Sequence, residues 1–239
     1  MTGPSACGFE ILAEDDLLLA VAKPAGIATQ APPGIESLES RIKSYLAATA
    51  GGEAGDVYLG IPHRLDRPVS GAMVFAKTRR AARRFARQFE RRQVRKLYWA
   101  CVQETVEPAS GTWTDYLCKI YGQPKAMVVD ASHPSAQHAV LHYRVIGRHA
   151  HGSGSEVELE TGRTHQVRVE GASRGYPILG DTYYDCPIPF GPQCDDPRQR
   201  HIALHARSLT VAHPISRDEL VLVAEPGESW RKLGATPDS

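Results

Sequence analysis

From Ala139 to Glu160 the chain repeatedly alternates apolar and polar residues: Ala139, Leu141, Tyr143 and Val145 enclose His142 and Arg144, and Val157 and Leu159 are separated by glutamates. A period of two is the signature of a strand with one buried and one wet face. Gly71–Ala76 is apolar throughout and reads as a strand buried on both faces. Further strands are expected at 57–61, 96–106, 126–129, 203–211 and 219–223. Phe9–Leu12 and Leu17–Ala22 form a hairpin stopped by Lys23-Pro24-Ala25-Gly26. Helical spacing is confined to three places. Leu38, Ile42, Tyr45 and Leu46 keep it from Ser37 to about Ala50, ended by Gly51-Gly52. A second helix lies within Lys77–Lys96, and a third follows Thr161-Gly162-Arg163-Thr164-His165-Gln166 to about Ser173, with Thr164 placed to cap it. Strands outnumber helices and show no βαβ alternation. The expected fold class is therefore α+β, a single domain on a mainly antiparallel mixed sheet flanked by helices and loops.

The longest aliphatic run near the N-terminus, Leu17–Ala22, is too short to cross a bilayer, and Met1–Phe9 has neither the basic start nor the apolar run of a leader. A soluble, cytoplasmic protein is expected. Five cysteines without tight spacing fit reduced thiols rather than a disulfide scaffold. The net charge of +1 hides one uneven region. Arg79, Arg80, Arg83, Arg84, Arg87, Arg91, Arg92 and Arg95 face a single acid, Glu90, while Ala82, Phe85, Ala86 and Phe89 recur at i, i+3, i+4 and i+7. So many like charges on one helix repel one another unless a polyanion lies nearby, which points to nucleic acid.

Pro62-His63-Arg64-Leu65-Asp66-Arg67-Pro68-Val69-Ser70-Gly71 sets one acid between two arginines where a strand should break. Neighbouring cations favour a carboxylate, which suits a nucleophile or base rather than a proton donor. A second arginine-bearing turn holds Arg163 at the start of a helix, where the dipole adds to its attraction for a carboxylate or phosphate. Cys186, Cys194, His201 and His205 match no common zinc spacing, and His63 with Asp66 is too few ligands for a metal, so no metal site is expected.

These residues occur in an order that resembles the RluA-type RNA pseudouridine synthases. The resemblance is carried by Lys23-Pro24-Ala25-Gly26, His63-Arg64-Leu65-Asp66 with Ser70-Gly71, Lys77-Thr78 and Lys96-x-Tyr98-x-Ala100. It continues through Thr161-Gly162-Arg163-Thr164-His165-Gln166-Val167-Arg168, Pro177-Ile178-Leu179-Gly180-Asp181 and Leu204-His205-Ala206. It implies a pseudouridine synthase catalytic domain over residues 9–226, with terminal extensions at 1–8 and 227–239. The family's S4 RNA-binding domain is expected to be absent, because Phe9 already begins the catalytic domain.

The resemblance further implies that Asp66 is the catalytic aspartate, Tyr98 packs against the target base, and Arg163 is the basic partner of the aspartate. It implies a cofactor-free isomerisation of uridine in structured RNA, ribosomal or transfer, by a monomer that flips the base out. Lys23, His63 and His165 are placed beside the substrate, the two histidines chiefly as hydrogen-bonding members of their turns. Arg64 is the candidate to fill the vacated space or grip the backbone. Arg79, Arg80, Arg83, Arg84 and Arg87 are the expected phosphate contacts. The chain departs from the family pattern at three points. Pro68-Val69 replaces a polar pair, with the turn expected to survive on proline rigidity. Glu170 stands in place of the usual histidine and Ala22 in place of asparagine.

Overall fold

The alternating segments become two long paired strands, β7 (Gln137–His149) and β8 (Gly152–Leu159), in which Tyr143 faces Val157. The computed structural model describes residues 7–233, so residues 1–6 and 234–239 of the expected terminal extensions lie outside it. The described residues form two compact units. One comprises residues 7–94 with Ala206–Glu225, the other Arg95–His205 with residues 226–233.

In the first unit, β1 (Glu10–Glu14) and β2 (Leu18–Lys23) form the expected hairpin. β2 pairs antiparallel with β3 (Ser70–Ala76), in a register that runs from Leu18 opposite Ala76 to Lys23 opposite Gly71. β9 (Leu204–Ala212) neighbours β3 and pairs antiparallel with β10 (Glu219–Val223). α1 (Leu38–Ala50) starts at a capping box on Ser37 and ends at a left-handed Gly51. α2 (Arg79–Glu90) starts at Thr78, whose side chain accepts from the Ala81 N–H.

One face of this sheet is packed by α2. Phe85 and Ala81 are buried in a cluster with Leu18, Ala20, Ala72, Val74, Ala76, Leu209, Val211 and Leu222. The buried stripe of α2 runs through Ala81 rather than the expected Ala86, which is exposed. By strand alternation Leu19, Val21 and Lys23, with Met73 and Phe75, point to the opposite face. Residues 57–61 are not a strand: only Gly60 bridges to Ala76.

The second unit is built on the order β4 (Arg95–Gln103), β8, β7, β5 (Ser110–Lys119), β6 (Ala126–Val129), every neighbouring pair antiparallel. α3 (Gln166–Ser173) packs with Val169 against Leu117, Ala126 and Tyr184. Its N-cap is His165, not Thr164, and His165 takes a left-handed φ of 55° with no side-chain cap. Within the expected C-terminal extension, α4 (Glu228–Leu233) buries Trp230 edge-on against Phe190. Both units are strand-rich with few helices, the α+β class expected.

Candidate active site

Asp66 sits in a turn closed by the Val69 N–H on the Asp66 carbonyl at 3.1 Å, so the turn survives Pro68-Val69. The residues on either side of Asp66 are fixed by one preceding segment. Before it, the Leu65 carbonyl accepts from the Thr29 hydroxyl at 2.8 Å and the Leu65 N–H donates to the same oxygen at 3.2 Å. After it, the Arg67 carbonyl accepts from the Gly26 N–H at 2.8 Å and from Lys23 Nζ at 3.2 Å. Leu65 and Val69 are buried, which anchors the turn through apolar contact as well.

Lys23 was expected beside the substrate, but the structure puts it beneath the turn. It is 1% exposed, and its ammonium also donates to the carbonyls of Pro24 at 2.9 Å and Ile27 at 2.7 Å. Burial pushes Lys23 down to about 7, the Asp66 charge pulls it up, and the like charge of Arg67 adds to the lowering. Three carbonyls match the three N–H bonds of an ammonium, so the cage is built for the cation. Gly71, at the start of β3, adopts φ +125°, and a Cβ there would lie 2.3 Å from the Ala206 carbonyl oxygen. His63 makes a main-chain hydrogen bond and a ring contact. Its Nε2 accepts from the Val74 N–H at 3.1 Å and its ring stacks on Phe89 at 4.6 Å. Arg64 is exposed.

On α2, Arg79, Arg80, Arg83 and Arg87 are exposed, with Arg79 lying over the Tyr58 ring at 5.1 Å. Arg84 is half-buried and donates to the Pro214 carbonyl. The helix covers the sheet face opposite Lys23, so its arginines are on the other side of this unit from the Lys23 cage.

The second unit holds the other group of expected residues. Tyr98 is half-buried on β4, opposite Val157. Two residues earlier, Lys96 Nζ donates to the Thr161 carbonyl at 3.4 Å, tying β4 to the Arg163 turn. Inside that turn, the Gln166 amide oxygen accepts from the Thr161 hydroxyl at 2.8 Å and the Arg163 N–H at 3.1 Å. Arg163 is half-buried, and its Nε donates to the His138 carbonyl at 2.9 Å. His165 Nδ1 meets the Tyr184 hydroxyl at 2.9 Å. Beneath the turn, Arg168 and Asp181 form a bidentate pair at 2.6 and 2.8 Å, 3% and 1% exposed.

Sequence reasoning missed Thr29, whose contact with Leu65 spans 36 residues, and had no local signal to find it. Nor did the sequence show the surroundings of Glu170, which stands in place of the usual histidine. Glu170 is fully buried in α3, against Asp115 and Gln166, and neither carboxyl oxygen makes a hydrogen bond of good geometry. Burial, and then the Asp115 carboxyl beside it, push Glu170 up to about 8, with Gln166 and Arg174 opposing. Among the described residues no three histidine, cysteine or acidic side chains cluster as metal ligands, and no helix is long and apolar enough to cross a membrane.

The profile of the RNA pseudouridylate synthase family matches residues 17–173. An uncharacterized RNA pseudouridine synthase of Synechocystis is 33% identical over 228 residues, 94% of this chain and 68% of that protein. The ribosomal large subunit pseudouridine synthase D of Pseudomonas aeruginosa is 35% identical, covering 86% of this chain and 64% of its own length. Among solved structures, human RNA pseudouridylate synthase domain containing 4 superposes with a TM-score of 0.73 at 25% identity, over 94% of this chain and 93% of that one.

Proposed function

The chain belongs to the RNA pseudouridylate synthase family and isomerises uridine to pseudouridine in RNA, and on that premise we propose that Asp66 is the residue that starts the reaction. The observation that carries the proposal is the bracketing of Asp66, with Leu65 held by Thr29 and Arg67 held by Gly26 and Lys23. A carboxylate that must meet one sugar carbon needs a fixed main chain, because small misplacements cost large factors in rate.

The product is an isomer, so atoms balance within the substrate. The bond from C1′ to N1 breaks, uracil turns, C5 bonds to C1′, the C5 proton leaves and N1 gains one. Uracil departs as an anion spread over two carbonyls, which lets one carboxylate suffice where glycosidases need two. Asp66 either attacks C1′ or removes the C2′ proton. Tyr98 gives the detached ring a flat face, and Arg163 supplies positive charge. The target base leaves its stack at a cost of about a few kcal/mol, and Arg64 fills the gap or holds the backbone. Exposed arginines of α2 add sequence-independent phosphate contacts. The RNA is structured, ribosomal or transfer, and the protein acts as a cytoplasmic monomer. The Pseudomonas relative, by its name, acts on the large ribosomal subunit, which supports the first of those RNAs.

Tritium release from RNA carrying C5-tritiated uridine tests the assignment, using total tRNA and unmodified large-subunit rRNA. Wild type should release tritium from at least one pool, and Asp66→Asn should lower the rate by roughly three orders of magnitude or more. Release at the wild-type rate by Asp66→Asn would remove Asp66 from the mechanism.

A further inference from the structure

Far from Asp66, the first unit carries a basic pocket of about 200 Å³. Arg84 and Arg87 of α2 and Arg91 at its C-cap line it, with His213, Pro214 and Arg217 of the turn between β9 and β10. No acidic side chain lines it among the described residues. The carbonyl end of α2 supplies only about half a negative charge, far less than four guanidinium groups carry. Cations gathered around so small a volume repel one another unless an anion sits among them.

The pocket is rigidly built. Gln88 clasps the end of β9, donating to the Ala212 carbonyl at 2.9 Å and accepting from the Ala212 N–H at 2.8 Å. His213 is held by Asp15 and Ser216, each at 3.0 Å. Arg84 donates to the Pro214 carbonyl. Arg217 has a φ of 71°, a left-handed position that turn geometry alone assigns to glycine or asparagine. An arginine placed there puts a fourth guanidinium at the pocket at some backbone cost.

The pocket lies at the end of the sheet where Leu18 faces Ala76, whereas the Asp66 turn is tied to the end where Lys23 faces Gly71. Five residue rises separate the two ends, about 17 Å, and α2 covers the face opposite Lys23. We propose that this pocket is an exosite for a backbone phosphate of the RNA, engaged by a part of the molecule remote from the target uridine. RNA held there has to pass round the edge of this unit to reach Asp66. The proposal rests on RNA being the substrate.

Arg91→Gln combined with Arg217→Asn tests it, since asparagine accepts the left-handed backbone and both side chains are exposed. Binding of a long fluorescein-labelled RNA hairpin is measured over a range of KCl. The slope of log affinity against log salt should become shallower by about one for the double variant, as one phosphate contact is lost. Half-saturating RNA in the tritium assay should rise severalfold, while the single-turnover rate at saturating RNA holds. An unchanged salt slope overturns the exosite. So does a lower saturating rate with unchanged affinity, which would link the pocket to the chemistry instead. If inorganic phosphate raises the thermal midpoint of wild type but not of the variant, and the RNA slope is unchanged, the pocket takes a free anion and the RNA claim fails. The slope requires only RNA binding, so a wild type that released no tritium would count against the reaction and not against the exosite.

Discussion

Replacing Glu170 with glutamine removes a buried titratable carboxyl while keeping its shape. Glu170 lies on the inner side of α3, fully buried, with Asp115 against it and Arg174 engaged with Asp115 at 2.7 Å. Burial and then Asp115 raise Glu170 from its ordinary 4.5 to about 8, so the folded chain keeps a proton that the unfolded chain releases. Folding then binds a proton between those values, and stability falls as pH rises through the window, then levels off above it. One pKa unit corresponds to about 1.4 kcal/mol, so wild type should lose up to ~3 kcal/mol between pH 5.5 and 7.5 through this residue alone. Glutamine cannot ionise and carries none of that slope. Urea unfolding followed by tryptophan fluorescence, with both proteins measured at each pH, reads the difference directly. The variant should be close to wild type near pH 5 and gain steadily toward pH 8. An infrared band of a protonated carboxylic acid, present in wild type at pH 7 and weaker in the variant, provides a second reading. Stability curves that run parallel across the whole window would refute the reasoning, because Glu170 would then be ionised in the folded chain.

Lys23→Met should cost about 2 kcal/mol by leaving the Pro24 and Ile27 carbonyls without their buried donor, and should lower the tritium-release rate as the Asp66 turn loosens. Wild-type stability and rate together in that variant would show that the cage does not position Asp66. Gly71→Ala forces a Cβ to 2.3 Å from the Ala206 carbonyl at a φ of +125°, so a loss of about 3 kcal/mol or more is expected in urea unfolding, and a loss under about 1 kcal/mol would contradict the crowding.

Elements whose signals are local were legible in the sequence. α1 runs from Ser37 to its terminal glycine, α2 carries an apolar stripe within the expected 77–96, and β10 stands between turn residues at the bounds expected. β5 was missed because Asp115 interrupts the inward-facing series of Trp113 and Leu117, and it points inward only to meet Arg174 and Glu170. Residues 57–61 look like a strand in isolation, yet a Cβ on Gly60 would lie 2.6 Å from the Ala82 Cβ, so α2 packs on this stretch and only one bridge forms. α4 is six residues long, too short for periodicity to register, and Trp230 alone marks it. In the site, residue types were readable and their supports were not, since Thr29, Gly26 and Lys23 reach Leu65 and Arg67 across roughly forty positions of chain.

The departure at Pro68-Val69 follows from the same supports. A polar pair before Ser70-Gly71 would steady the turn through its own side-chain hydrogen bonds, which Pro68 and Val69 cannot make. The turn is held here by main-chain anchorage on both sides of Asp66, a 2%-exposed Val69 packed into the unit, and a proline whose ring fixes φ. Hydrogen bonds from a turn's own side chains hold the turn to itself, whereas anchors from residues 23–29 hold it to the sheet. A nucleophile or base has to be placed relative to a bound sugar, not relative to its own loop, so the second kind of support is the one that fixes reaction geometry. The polar pair is therefore dispensable here in a way that Lys23, Thr29 and Gly26 are not.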